Sequence, residues 1–185
     1  MAELSQARVL MIATDGFEQS ELMKPRQALL DAGVQVTLAS LKLDPITGES
    51  GGEKGESITP DTLVSDVDSE AFDALVLPGG VHNPDTLRMD DTTIGLIQEF
   101  FDDGKTVAAI CHAPWLLIEA DLVRGKTVTS WPSVRRDLAN AGANVVDREV
   151  VVDGNIITSR NPDDIPAFAS AVNEALQKAA EPADA

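Results

Sequence analysis

The sequence predicts an α/β protein whose mostly parallel sheet is covered on both faces. Three observations carry that prediction. Short apolar runs alternate with helix-patterned stretches along the 185 residues. Turn signals such as Pro78-Gly79-Gly80 and Asp153-Gly154 bound the runs. No repeat or linker interrupts them, so residues 1–185 read as a single domain.

Residues 7–14 (ARVLMIAT) form the first strand, followed by a turn at Asp15-Gly16 and a helix that Gly33 stops. Pro25 marks either the start of that helix or a kink in it. Residues 34–41 are the second strand. Residues 42–60, rich in Gly, Glu and Ser, make an excursion with at most a small hairpin. Residues 72–77 (FDALVL) are a buried strand and 92–102 a helix that ends at Gly104. Residues 107–110 read as a strand buried on both sides, with Pro114 suited to the first turn of the helix after it, which ends near 123–125. Residues 126–131 are a further strand and 132–141 a helix. Residues 145–152 and 155–159 flank the hairpin signal Asp153-Gly154. A closing helix covers 163–180, with a frayed tail after Pro182. Together these elements predict a three-layer, flavodoxin-like sandwich.

Composition narrows the function. Hydrophobic content of 43% and charged content of 24% suit a soluble globular protein. No stretch approaches the roughly 18 apolar residues of a membrane helix. Asp and Glu number 31 against 14 Lys and Arg, a formal net charge of -17. Such a surface repels phosphate backbones and anionic membranes, which argues against nucleic-acid or membrane binding. The acidity fits either a high-salt cytoplasm or an acidic enzyme of an ordinary one. The N-terminus lacks the pattern of a signal peptide, and the one cysteine, Cys111, cannot form an internal disulfide. A cytoplasmic location is expected.

Ligands of open parallel sheets bind beyond the carboxyl ends of the strands. That rule gathers Asp15 to Glu18, then Gly79, Gly80, His82 and Asp85, then Cys111 and His112, and finally Trp131. Cys111 sits on a strand-to-helix elbow, where free N–H groups favour a thiolate and a lowered pKa. His112 is the candidate base, although adjacent side chains usually diverge. Glu18 at the sheet edge is placed to hydrogen-bond the sulfur. Beside a thiolate it would be pushed toward its protonated form and serve as a proton shuttle. Gly79 and Gly80, lacking Cβ, let backbone N–H groups approach an oxyanion. One Cys and two His give no zinc-ligand spacing, and no glycine-rich nucleotide motif occurs, so neither metal nor cofactor is implied.

The segments 15–22 (DGFEQSEL), 75–80 (LVLPGG), 108–115 (AAICHAPW), 129–131 (TSW) and 147–160 together resemble the PfpI family of the ThiJ/PfpI superfamily. The resemblance implies the flavodoxin-like fold, a nucleophile at Cys111, its neighbour His112 and the acid Glu18. It implies dimers, or hexamers built from dimers, with sites at or near subunit interfaces. In protease members a second acid reaches the histidine from the adjacent subunit. The nearest match here is Asp85, in a loop that reads one residue longer. Ala113 stands where many members have glycine. With no tyrosine in the chain, any tyrosine role near the site is absent or falls to Trp115 or Trp131. His82, Ala113, Trp115 and Trp131 are therefore pocket candidates. The resemblance implies a stress-response enzyme acting on dicarbonyls, glycated adducts or peptides. The alternative is a non-catalytic redox sensor or holdase-like protein whose Cys111 is oxidised. The related glutamine amidotransferases need a histidine downstream of the elbow, and none follows His112.

Overall fold

The computed structural model describes residues 4–180. The expected tail after Pro182 lies outside them. In chain order the elements are β1 (Arg8–Ile12), β2 (Phe17–Glu18), α1 (Gln19–Asp31), β3 (Gln35–Ser40), β4 (Ile46–Ser50), β5 (Glu53–Ile58) and β6 (Thr62–Leu63). Then come β7 (Ala74–Leu77), α2 (His82–Leu87), α3 (Asp91–Asp102), β8 (Thr106–Ile110), α4 (Pro114–Glu119) and β9 (Thr127–Val128). The chain continues through α5 (Arg135–Asn140), β10 (Asn144–Val145), β11 (Val150–Asp153), β12 (Ile156–Ser159) and α6 (Ile165–Ala180).

The central sheet runs β11-β12-β8-β7-β1-β3-β6, parallel except for the β11–β12 hairpin. Its apolar runs feed both faces, because successive strand residues point to opposite sides. Leu10 and Ile12, Leu75 and Leu77, and Val107 and Ala109 pack against α2 to α5. Val9 and Met11, Ala74 and Val76, and Ala108 and Ile110 pack against α1 and α6. This is the three-layer, flavodoxin-like α/β architecture.

Three local expectations change. Only Thr127–Val128 of the 126–131 stretch is strand, and it pairs with β10 in a separate two-stranded ribbon. Cross-strand pairing of Asp153 with Ile156 leaves Gly154-Asn155 as the hairpin turn, one residue later than expected. The helix after Cys111 is short, ending at Glu119, and Asp121 (φ 56°) then takes a left-handed conformation. Pro25 lies inside α1 and does not start it. By the i→i−4 rule its missing N–H leaves the Glu21 carbonyl without a helical donor. The 42–60 excursion forms β4 and β5, which join β2 in a small sheet beside the carboxyl end of β1.

Candidate active site

β8 ends at Ile110 and α4 begins at Pro114, so the intervening residues must reverse the chain. Cys111 does this with φ 66°. For a residue with a side chain, that left-handed conformation costs about 1–2 kcal/mol. The elbow is pinned on both sides. The Cys111 N–H donates to the Ser159 carbonyl at 3.0 Å, and its carbonyl accepts the Trp131 N–H at 2.9 Å. The left-handed step also brings neighbouring side chains together: Cys111 Sγ and His112 Nδ1 are 3.1 Å apart. The N–H groups of Gly80 and His112 face the sulfur.

The carboxyl at the thiol is Glu21, not Glu18. Glu18 is the extended residue that precedes α1, half-buried, and its Oε1 accepts from Ser20 Oγ at 3.0 Å. Glu21 lies one turn later on the inner face of the helix and is fully buried. Its Oε2 accepts the Gly79 N–H at 3.0 Å, and its carboxyl lies beside the Cys111 thiol. Among the described residues no hydrogen bond satisfies Oε1. Gly79 is obligatory here, because a Cβ would lie 2.4 Å from Glu21 Oε2 and 2.7 Å from Cys111 Cβ. Since Glu21 occupies its N–H, Gly79 is not an oxyanion donor. The pair of N–H groups facing the sulfur comes from Gly80 and His112 instead.

Burial shifts the titrating groups. It pushes Glu21 up to about 8, with the nearby charge of Glu18 adding to the effect and the Cys111 and Gly79 hydrogen bonds opposing it. Burial likewise pushes the Cys111 thiol up, and an ionised Glu21 pushes the same way. The expected lowering of the thiol pKa is therefore not found in this pocket. A Glu21 that keeps its proton near neutrality removes that repulsion and presents an O–H to the sulfur. Burial lowers the His112 pKa and favours the neutral ring.

Trp131 stacks on His112 with centroids 5.7 Å apart, and Trp115 meets it edge-on at 5.2 Å. His112 Nε2 lies 3.3 Å from Ser133 Oγ, a contact that sequence reading missed. Asp85 is exposed on α2, and within the chain no hydrogen bond joins it to His112 among the described residues. His82 is bound by Glu49 Oε1 at 2.9 Å and stands behind the pocket wall. Ala113 and Trp115 face the core on the α2-to-α5 side, so they do not line the cleft. The reason is the backbone reversal, which sends Cys111 to one side of the sheet and Ala113 to the other.

A cleft of about 350 Å³ opens over the sulfur, lined by Glu18, Glu21, Glu49, Gly51, Gly52, Gly80, Val81, Cys111, His112, Trp131 and Pro162. Among the described residues no cluster of three or more His, Cys, Asp or Glu could hold a metal. Among the described residues no helix is long and apolar enough to cross a membrane.

The DJ-1/PfpI family model matches residues 7–175. The chain belongs to the DJ-1/PfpI family. It is 45% identical over 161 residues to a putative cysteine protease, YraA, of Bacillus subtilis, covering 87% of this chain and 93% of the relative. It is 41% identical to a deglycase of Thermococcus kodakarensis, covering 87% and 94%. Drosophila melanogaster DJ-1beta superposes with a TM-score of 0.85 at 33% identity, covering 95% and 93% of the two chains. The positive-φ cysteine thus sits in a DJ-1/PfpI domain that is matched over nearly its whole length.

Proposed function

We propose that this protein is a cysteine-dependent enzyme of small reactive carbonyls, acting on free dicarbonyls or their glycated adducts. The observation that carries the proposal is the buried Glu21 carboxyl beside Cys111. A carboxyl with a pKa near 8 populates both protonation states around neutrality, as a proton carrier must. The names of the deglycase and putative cysteine protease relatives support the same class.

The Cys111 sulfur adds to the aldehyde carbon of a 2-oxoaldehyde, and neutral His112 takes the thiol proton at 3.1 Å and passes it to the new oxyanion. Gly80 and His112 N–H groups, which face the sulfur, are the donors for that oxygen. Glu21 then removes the proton on the sulfur-bearing carbon and returns it to the adjacent one. The hemithioacetal becomes a 2-hydroxyacyl thioester, and water releases the hydroxy acid and the thiol. Peptide hydrolysis needs a more basic histidine than His112, whose Nε2 meets a hydroxyl, Ser133 Oγ, and no carboxylate among the described residues.

The test is incubation of pure protein with methylglyoxal, with lactate as the readout. Thiol-dependent lactate that is absent in Cys111→Ser is expected. Absence of lactate from the wild type would overturn the proposal. The same carboxyl supports a redox-sensor reading, in which oxidised Cys111 accepts a hydrogen bond from protonated Glu21. Peroxide adding two oxygens to Cys111 in a protein without turnover would favour it.

A further inference from the structure

Resting on that reading, we infer that Glu18 and Glu49 make the cleft selective by charge, admitting neutral and cationic carbonyl compounds and rejecting those that carry phosphate or carboxylate. Three glutamates line the cavity over the nucleophile, and among the described residues no lysine or arginine does. Glu21 is inside and largely protonated, whereas Glu18 and Glu49 are only half-buried.

The nearby cations do not line the cleft. Arg160, two residues before the lining Pro162, is bound by Asp164 at 2.8 Å and by Asp147 at 2.9 Å. Lys54, opposite Glu49 in the hairpin, lines the neighbouring groove, which it shares with Asp15 and Glu49, and not the cleft over the sulfur. His82 lies behind Glu49 and outside the cleft lining. An anionic substrate would lose solvent in a cavity of about 350 Å³ without a counter-charge and with two carboxylates facing it. A cationic one, such as an adduct on a guanidinium or ammonium side chain, would be drawn in. Glu21 Oε1, buried and without a hydrogen-bond partner among the described residues, is available to a ligand group.

The chain has one cysteine, so its chemistry reports the potential at the site directly. The experiment compares modification of Cys111 by cationic trimethylammonioethyl and anionic sulfonatoethyl methanethiosulfonate, read by mass. In each case a mixed disulfide forms and methanesulfinate leaves. The expected cation-to-anion rate ratio exceeds that of a small free thiol on the order of tenfold. It falls toward the free-thiol ratio in high salt and in the Glu18→Gln/Glu49→Gln double variant. A wild-type ratio equal to the free-thiol value, or below it, overturns the inference. Because the salt series uses wild-type protein, a poorly folded variant does not blunt the test.

The second arm measures kcat/KM for methylglyoxal hemithioacetals of thiocholine, N-acetylcysteine amide and N-acetylcysteine, which differ in charge at the same reacting group. Selective labelling without turnover of any adduct upholds the charge preference and overturns the enzymatic reading. Turnover with unselective labelling does the reverse.

Discussion

The two ends of the central sheet obey different rules. At the amino end, helices turn into strands through left-handed glycines whose N–H groups close onto the helix before them. After α3, Gly104 takes φ 72° with open space around it, and the N–H groups of Gly104 and Lys105 close onto Phe101 and Phe100. At the carboxyl end, a cysteine holds a conformation that suits glycine, and a fully buried glutamate beside it has an oxygen with no hydrogen-bond partner among the described residues. Both ends carry left-handed residues, yet only one places a reactive side chain on them. What sets the carboxyl end apart is that a strained reactive side chain and an unsatisfied buried carboxyl oxygen meet at one point, and such a coincidence marks where chemistry happens.

The comparison breaks most sharply at the elbow itself. Cys111→Gly is expected to abolish thiol-dependent turnover while leaving stability unchanged or raising it by up to about 1 kcal/mol, since glycine relieves the positive φ. Denaturant unfolding and a lactate assay check the pair of outcomes. Loss of stability would mean that the cysteine packs better than its strain costs.

Next is Glu21→Gln, expected to lower kcat by about 10²–10⁴ as a lost acid–base group. Glu18→Gln is expected to cost less than tenfold on a neutral substrate. The same variant tests linkage. The folded pKa of Glu21, about 8, lies above its ordinary 4.5, so the folded state holds an extra proton between those values. Its contribution to stability is full below about pH 4.5 and is lost as pH rises through about 8. Wild-type Tm should therefore fall more steeply over that window than the Tm of Glu21→Gln.

The glycines sharpen the contrast at smaller scale. Gly79→Ala, with its contact of 2.4 Å to Glu21 Oε2, is expected to destabilise by about 1–3 kcal/mol as an overpacked site. Gly104→Ala, in open space, should cost about 1–2 kcal/mol for its positive φ alone. Only the first should also slow turnover. Ser133→Ala is the mildest change: a few-fold loss of rate, with a shifted low-pH limb as His112 loses its Nε2 partner. An unmoved pH profile would remove Ser133 from any role in orienting the ring.

The elbow was legible in the sequence because an apolar run of four, a cysteine and a helix-starting proline leave few alternatives for the backbone. The choice between Glu18 and Glu21 was not. They sit three residues apart at a helix start, and a shift of one turn exchanges which of them faces inward. A usable signal was present nonetheless. Glu21, Pro25 and Leu29 repeat every four residues on the buried stripe of α1, so a glutamate occupied a core position. The 126–131 stretch misled for a different reason. Its β-favouring residues are satisfied by two pairs in a side ribbon, while the place beside β8 in the central sheet goes to β12, a choice fixed by distant chain. Likewise, the occupation of the Gly79 N–H depends on a contact across 58 residues, which no local pattern encodes.

The central claim is that Glu21 keeps a proton beside Cys111 at neutral pH. Infrared difference spectra of wild type minus Glu21→Gln, taken across a pH series, read that proton directly from the carboxylic-acid C=O stretch. The acid band is expected to persist through neutrality and fade around pH 8. A band already gone at the ordinary carboxylate pKa, near 4.5, would contradict the account.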